Sequence, residues 1–176
     1  HVMQDETGGY HIPVLLETAI EYLVGDPDGV YVDGTLGGGG HSLRLLEKLG
    51  EQARVLGFDQ DADAIAHAQQ LFKDEHRMTL VHSNVVHLRD ALTQHDIPMI
   101  DGILLDLGVS SHQIDVPERG FSFRHDGPLD MRMDHRHSVS AADIIAQESE
   151  SELARIFFTY GEERQSRRIA RAIVRA

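Results

Sequence analysis

The sequence predicts a doubly wound α/β fold built on a parallel sheet. Four short runs are nearly continuous in apolar residues, as strands buried on both faces are, and helical stretches alternate with them. A glycine-rich turn joins the first run to a helix, which is where such sheets bind ligands.

The elements follow in order. An amphipathic helix is expected over about 14–23, then a strand at 30–33 carrying Val-Tyr-Val, a helix over 42–49 and a strand at 54–59. A helix over 61–72, a strand at 78–82, a weaker helix near 86–95 and a strand at 100–106 complete the alternation, with right-handed crossovers. Residues 107–137 are rich in Gly, Asp, Arg and His without a period and read as long loops. Two helices are then expected, near 141–160 and 162–175. A half-sheet would leave its fourth strand as an exposed apolar edge, so the chain is expected to be truncated.

Composition bounds the class. The 176 residues, 41% hydrophobic and 26% charged, suffice for one ordinary domain or one domain plus part of another, and no apolar run approaches a bilayer span. The absence of cysteine removes disulfides, thiolate nucleophiles and zinc ribbons. The start, His1-Val2-Met3-Gln4-Asp5-Glu6, lacks the order of a secretory leader, so a soluble cytoplasmic protein is expected, with no membrane partner. The net charge of −13 opposes a polyphosphate partner unless positive charge is gathered locally. It is: residues 155–176 hold six arginines against two glutamates, net +4, leaving −17 for residues 1–154.

Asp33-Gly34-Thr35-Leu36-Gly37-Gly38-Gly39-Gly40-His41-Ser42 is the candidate cofactor turn. Glycines let backbone approach a ligand closely and bring a helix N-terminus to face it. His41 stands where a P-loop needs lysine, and Gly34-Thr35-Leu36 breaks the dinucleotide fingerprint G-x-G-x-x-G. The order Asp-x-Thr-x-Gly-x-Gly, with Asp33 closing the strand, resembles the first motif of S-adenosylmethionine-dependent methyltransferases. Asp59 ends the second strand, where a carboxylate accepts ribose hydroxyls; it could equally cap the helix that follows. His82-Ser83-Asn84-Val85 ends the third strand, with Val85 offering an apolar wall.

The fourth strand runs into Asp101-Gly102-Ile103-Leu104-Leu105-Asp106-Leu107-Gly108-Val109-Ser110-Ser111-His112-Gln113. With Arg119-Gly120-Phe121-Ser122-Phe123 and Asp126-Gly127-Pro128-Leu129-Asp130-Met131-Arg132-Met133-Asp134, the chain resembles the RsmH (MraW) family from His11 to beyond Arg164. The resemblance implies a Rossmann-like class I methyltransferase sheet, incomplete here, over 10–113, and loops with the start of a mostly helical inserted domain over 114–176. It implies methyl transfer from S-adenosylmethionine to the N4 amine of a cytosine in 16S (small-subunit) ribosomal RNA, in the decoding region. The partner would be that RNA or the assembled small subunit, with a homodimer among the states the sequence allows. Carried over by motif, Gly37, Gly39, Gly40 and His41 contact the cofactor with Asp33, Asp59 holds its ribose, Val85 lines its adenine, and Asp106 and Gln113 meet the methionine side. The family usually shows an aromatic where Val85 stands.

Cytosine's exocyclic amine is a poor nucleophile, so a transferase must accept its hydrogen bonds and hold it in line. Asp106, assisted by Ser110 or Ser111, is placed for that at the strand end, or it only orients the cofactor's ammonium. Phe121 and Phe123 could stack on a base while Arg119, Arg124 and Arg132 hold phosphates, or the loop could pair internally through Asp130, Arg132 and Asp134. On a continuous final helix Arg164, Arg168, Arg171 and Arg175 share a stripe opposite Ile169 and Ile173, suited to RNA phosphates or to acidic surface. The twelve histidines form no metal motif, and no metal is assigned. A nicotinamide-dependent oxidoreductase and a nucleoside-binding fragment without activity are the alternatives.

Overall fold

Apolar side chains alternate between the two faces of a four-stranded sheet. The computed structural model describes residues 15–176, so residue 14 of the first expected helix and the segment from His11 that opens the resemblance lie outside the described residues. The strands are β1 (Val30–Asp33), β2 (Arg54–Asp59), β3 (Met78–His82) and β4 (Gly102–Leu104), all parallel in the order β3-β2-β1-β4. This is the doubly wound arrangement. The register pairs Val32 with Leu56 on one side and with Ile103 on the other.

Because side chains alternate along a strand, Tyr31 and Val55 enter one core while Val32, Leu56 and Phe58 enter the other. On the first face pack α1 (Leu16–Leu23), α2 (Gly40–Lys48) and α3 (Ala62–Leu71), through Leu16, Ile20, Leu45, Leu46, Ile65 and Ala68. The opposite core is closed by Ala91 of α4 (Leu88–Gln94), with Leu88 and Leu92. The expected helix near 86–95 is thus a one-turn 3-10 segment, Val85–His87, running into α4. β4 is shorter than the expected 100–106 because, among the described residues, it pairs with β1 alone. Its lower end is tied down by Asp101, whose N–H donates to the Val30 carbonyl and whose Oδ2 accepts the Val30 N–H at 2.7 Å.

A second unit begins between His112 and Gln113. α5 (Ser111–Asp115) straddles that boundary, and a 3-10 turn at Pro117–Arg119, α6 (Ala141–Gln147), α7 (Glu150–Gly161) and α8 (Ser166–Arg175) follow. The single helix expected over 141–160 is two helices. Glu148 is extended, and the Ser149 hydroxyl accepts the Glu152 N–H at 3.2 Å, restarting the chain as α7; Ser149-Glu150-Ser151-Glu152 is a capping signature readable in the sequence. The last helix also starts late, since Glu162 adopts a left-handed conformation (φ 51°) that closes α7. α7 and α8 pack through Leu153, Ala154, Phe157, Ala170 and Ile173. The buried side of α8 is therefore Ser166, Ala170 and the expected Ile173, whereas Ile169, also expected there, is exposed.

One strut spans the first unit. Arg77, just before β3, donates through one guanidinium nitrogen to the carbonyls of Leu46 (3.1 Å), Leu49 (3.0 Å) and Gly50 (3.2 Å), the C-terminal end of α2. A cation there satisfies carbonyls that the helix leaves open and complements its dipole. Glu75 grips the same guanidinium through Nε (2.9 Å) and a terminal nitrogen (2.6 Å), and these bonds hold its carboxyl well below the usual range, at about 2.

Replacing Arg77 with Ala should lower unfolding free energy by about 2 kcal/mol, the scale of hydrogen bonds to a charged group, read by urea denaturation. A group whose folded pKa is depressed stabilises above its unfolded value and loses that as pH falls through the folded one. The Glu75 contribution should therefore be whole above about 4.5 and vanish toward about 2. Arg77→Ala should show a smaller acid destabilisation than the parent across that window.

Candidate cofactor-binding site

The turn from β1 into α2 is assembled from backbone bonds to two neighbouring strands and from one within the turn itself. Gly34 N–H donates to Leu104 O of β4 (2.9 Å), Leu36 N–H to Phe58 O of β2 (2.9 Å), and Gly39 N–H to Leu36 O (2.7 Å). Gly37 (φ 50°) and Gly39 (φ 80°) take left-handed conformations that side chains resist. A Cβ on Gly39 would lie 2.7 Å from Leu71 and 3.0 Å from Phe72, so this turn can lie against the end of α3 only as glycine. Around Gly40, the first residue of α2, the space is open, so that backbone at the helix N-terminus is accessible to a ligand.

Two carboxylates hold the turn. Asp33 is 1% exposed; its Oδ1 accepts Thr35 N–H (3.1 Å) and its Oδ2 the Ser42 hydroxyl (2.7 Å). Burial pushes its carboxyl above the ordinary value, partly offset by those two bonds. Asp33 therefore shapes the turn from beneath; the expectation that it contacts cofactor is corrected, because a carboxylate so buried and so committed presents no surface. Asp59 occupies a different position. It is half-buried at the end of β2, its Oδ2 accepts Gly37 N–H at 2.8 Å and its Oδ1 accepts Asp61 N–H at 2.8 Å. Burial raises its pKa also. A third backbone N–H, from Gln60, also bonds this carboxylate, which still leaves acceptor capacity for a ligand hydroxyl. Asp59 is not the cap of α3; Asp61 is, accepting Asp63 N–H.

Val85 reaches the same place from beyond β3. Its Cγ2 would lie 2.8 Å, and Leu105 Cδ2 2.4 Å, from a Cβ on Gly34, so two apolar side chains close over that glycine. Asn84 Nδ2 donates to Gln60 Oε1 (3.0 Å), joining the ends of β2 and β3. Asp106 is exposed just past β4, and its N–H donates to Thr35 Oγ1 at 2.7 Å. The ends of β1, β2, β3 and β4 are thus tied to one another around a glycine turn. Gly37, Gly39, Gly40, Asp59, Val85 and Asp106 gather there, with His41 in the first turn of α2. The linking roles of Thr35, Ser42 and Asn84 carried no motif signal of their own, beyond the general habit of short polar side chains to bond nearby backbone. Gln113, buried in α5, belongs to the second unit.

In that second unit the arginines divide. Arg119 is 3% exposed and donates to the carbonyls of Arg132 (3.1 Å) and Met133 (3.2 Å), so it is an internal strut and the expected phosphate contact is corrected. Arg132 is engaged by Asp130 through Nε (2.9 Å) and a terminal nitrogen (2.6 Å), and donates to His137 O (2.9 Å). These bonds hold the Asp130 carboxyl below its ordinary range, and Arg136 does the same for Asp134, at about 2. Arg132 is thereby spent on its own loop. Phe121 is half-buried, whereas Phe123 is 99% exposed. Arg164 precedes α8, so the expected helical stripe reduces to Arg168, Arg171 and Arg175.

The model of the MraW methylase family matches residues 9–176. The chain is 50% identical over 174 residues to the ribosomal RNA small subunit methyltransferase H of Bacteroides fragilis and 51% identical to that of Bacteroides thetaiotaomicron, covering 99% of this chain and 56% of each relative. To the protein of that name from Methylobacillus flagellatus it is 54% identical over 164 residues, 93% of this chain and 50% of the relative. The chain spans about half the length of these curated relatives.

Thr35→Val keeps the shape of the turn and removes the acceptor of the Asp106 N–H. It should cost about 1 kcal/mol locally and speed hydrogen exchange at Asp106 about fivefold, with the amides of β2 unchanged.

Proposed function

Since the chain belongs to the MraW methylase family, we propose that it forms the S-adenosylmethionine-binding part of an enzyme that methylates the N4 amine of a cytosine in the decoding region of small-subunit ribosomal RNA. The observation that carries this reading is the convergence of the glycine turn, Asp59, Val85 and Asp106 at the carboxyl ends of four parallel strands. The residues fit the cofactor: Gly40 leaves backbone room at a helix N-terminus, Asp59 keeps acceptor capacity for a ribose hydroxyl, and Val85 supplies an apolar wall for adenine. When bound, S-adenosylmethionine supplies an electrophilic methyl group on a sulfonium.

What the chain contributes is position and charge. The backbone of Asp106 is anchored by Thr35, while its carboxylate is exposed and has no hydrogen-bond partner among the described residues. It accepts a hydrogen bond from the cytosine amine, keeping the nitrogen lone pair directed at the methyl, and takes the proton as the amine becomes positive. Ser110, four residues on, assists. The base reaches the site only outside a stack. RNA contacts from Phe121, Phe123 and the arginines near α8 complete the proposal.

Calorimetric titration should show S-adenosylmethionine binding and no NAD binding; the reverse would favour an oxidoreductase. Asp59→Ala should weaken the cofactor by tenfold or more, as loss of a charge-assisted bond does. In the full-length form, Asp106→Ala should lower labelled-methyl transfer to small-subunit RNA by about a hundredfold or more while cofactor affinity changes less than threefold. Equal losses would reduce Asp106 to orienting the cofactor.

A further inference from the structure

The hairpin of α7 and α8 encloses an open groove whose walls are mainly cationic. From α7 it is lined by Glu150, Ser151, Ala154, Arg155 and Phe158, and from the turn and α8 by Arg164, Arg167, Arg168 and Arg171. That is five arginines against one glutamate, on a chain whose net charge is −13. The arginines differ in what they can still bind. Arg155 is held by Glu152 and by Tyr160, which keep it firmly protonated and in place. Arg164, Arg167 and Arg168 are exposed, and their guanidinium groups have no partner among the described residues. Arg171 donates through Nε to Glu150 at 3.3 Å. Phe158, 62% exposed, stands on the α7 wall among these cations although the hairpin core lies alongside.

Free guanidinium groups in a row with an exposed aromatic ring match a single nucleic-acid strand: phosphates take the arginines and a base takes the ring. We propose that this groove is a docking track for single-stranded RNA, with Arg164, Arg167 and Arg168 on phosphates, Phe158 as stacking platform, and Glu150 as an internal anion that occupies Arg171 until a phosphate displaces it. The assignment rests on the reading of the chain as part of an RNA methyltransferase. It goes further by naming the surface, and by including Arg167, Phe158 and Glu150, which the arginine spacing alone did not single out.

The test is fluorescence anisotropy with a labelled single-stranded oligoribonucleotide of about eight residues, across a salt series. The joint change of Arg164, Arg167 and Arg168 to Gln should weaken binding at least tenfold and flatten the slope of log K against log salt by about 2, since each lost phosphate contact on a single strand removes about 0.7. Phe158→Ala should weaken binding about fivefold or more at every salt concentration with the slope unchanged. Glu150→Gln should tighten it, and more than Glu21→Gln, the same charge change at an exposed position of α1. Phe158 and the three arginines are exposed and Glu150 is half-buried, and far-ultraviolet circular dichroism should confirm an intact hairpin. An unchanged slope in the arginine variant, equal effects of the two glutamate changes, or no oligonucleotide binding by the parent overturns the groove. So does displacement of the RNA by a polyglutamate peptide at equal charge concentration, which would assign the groove to acidic protein. Titration of the same variants with S-adenosylmethionine separates the two readings. Retained cofactor binding with RNA binding indifferent to the groove sinks the groove alone, and loss of cofactor binding in the parent sinks the methyltransferase reading.

Discussion

The acceptance of the Gly37 N–H by Asp59 is the constraint around which the first unit is arranged. It fixes a left-handed glycine above the end of a neighbouring strand, and the turn can take that path only because Asp33 supports it from below through Thr35 and Ser42. Both carboxylates sit where burial works against their charge. The N–H and O–H donors that offset this are the groups that give the turn its shape, so local electrostatics and local geometry are one device. Thr35 extends it to the end of β4, because its hydroxyl accepts the N–H of Asp106.

Charge is distributed by role. In the loops after β4, aspartate and arginine pair two residues apart, Asp130 with Arg132 and Asp134 with Arg136, and Arg119 is consumed by backbone carbonyls. Those cations build structure. On α8 and the turn before it, the arginines outnumber their acidic neighbours, and four of them, Arg164, Arg167, Arg168 and Arg175, remain unpartnered among the described residues. A count of arginines cannot separate these uses; their partners can. An acidic chain can thus carry a local site for an anionic strand, since attraction within a Debye length depends on nearby charge and not on the sum.

Much of the sheet was legible because buried parallel strands are written as short apolar runs, and three of the four appear where such runs predict them. The fourth was overextended, because Leu105 continues the apolar run beyond Leu104 without joining the strand ladder. Helix ends in the second half were misplaced for a different reason. Periodicity continues smoothly across 148–149 and 162–165, while the chain is broken there by the Ser149 cap and the left-handed Glu162. Of the site, the glycine turn, Asp59 and Asp106 were readable from position at strand ends, but the inward role of Asp33 was not.

By itself the sequence determined the class of fold, the location of the turn and the family, since these follow from local periodicity and from residue order, both of which survive in one dimension. Tertiary structure decided which polar groups are spent on the fold and which remain for a ligand. Asp33 and Asp59 each end a strand, yet one lies sealed against Ser42 and the other stands half-open beside Gly37. Arg119 and Arg164 are chemically identical, yet one is buried on carbonyls and the other faces water. Burial and partnership belong to contacts between residues distant along the chain, and those contacts exist only once the elements have packed.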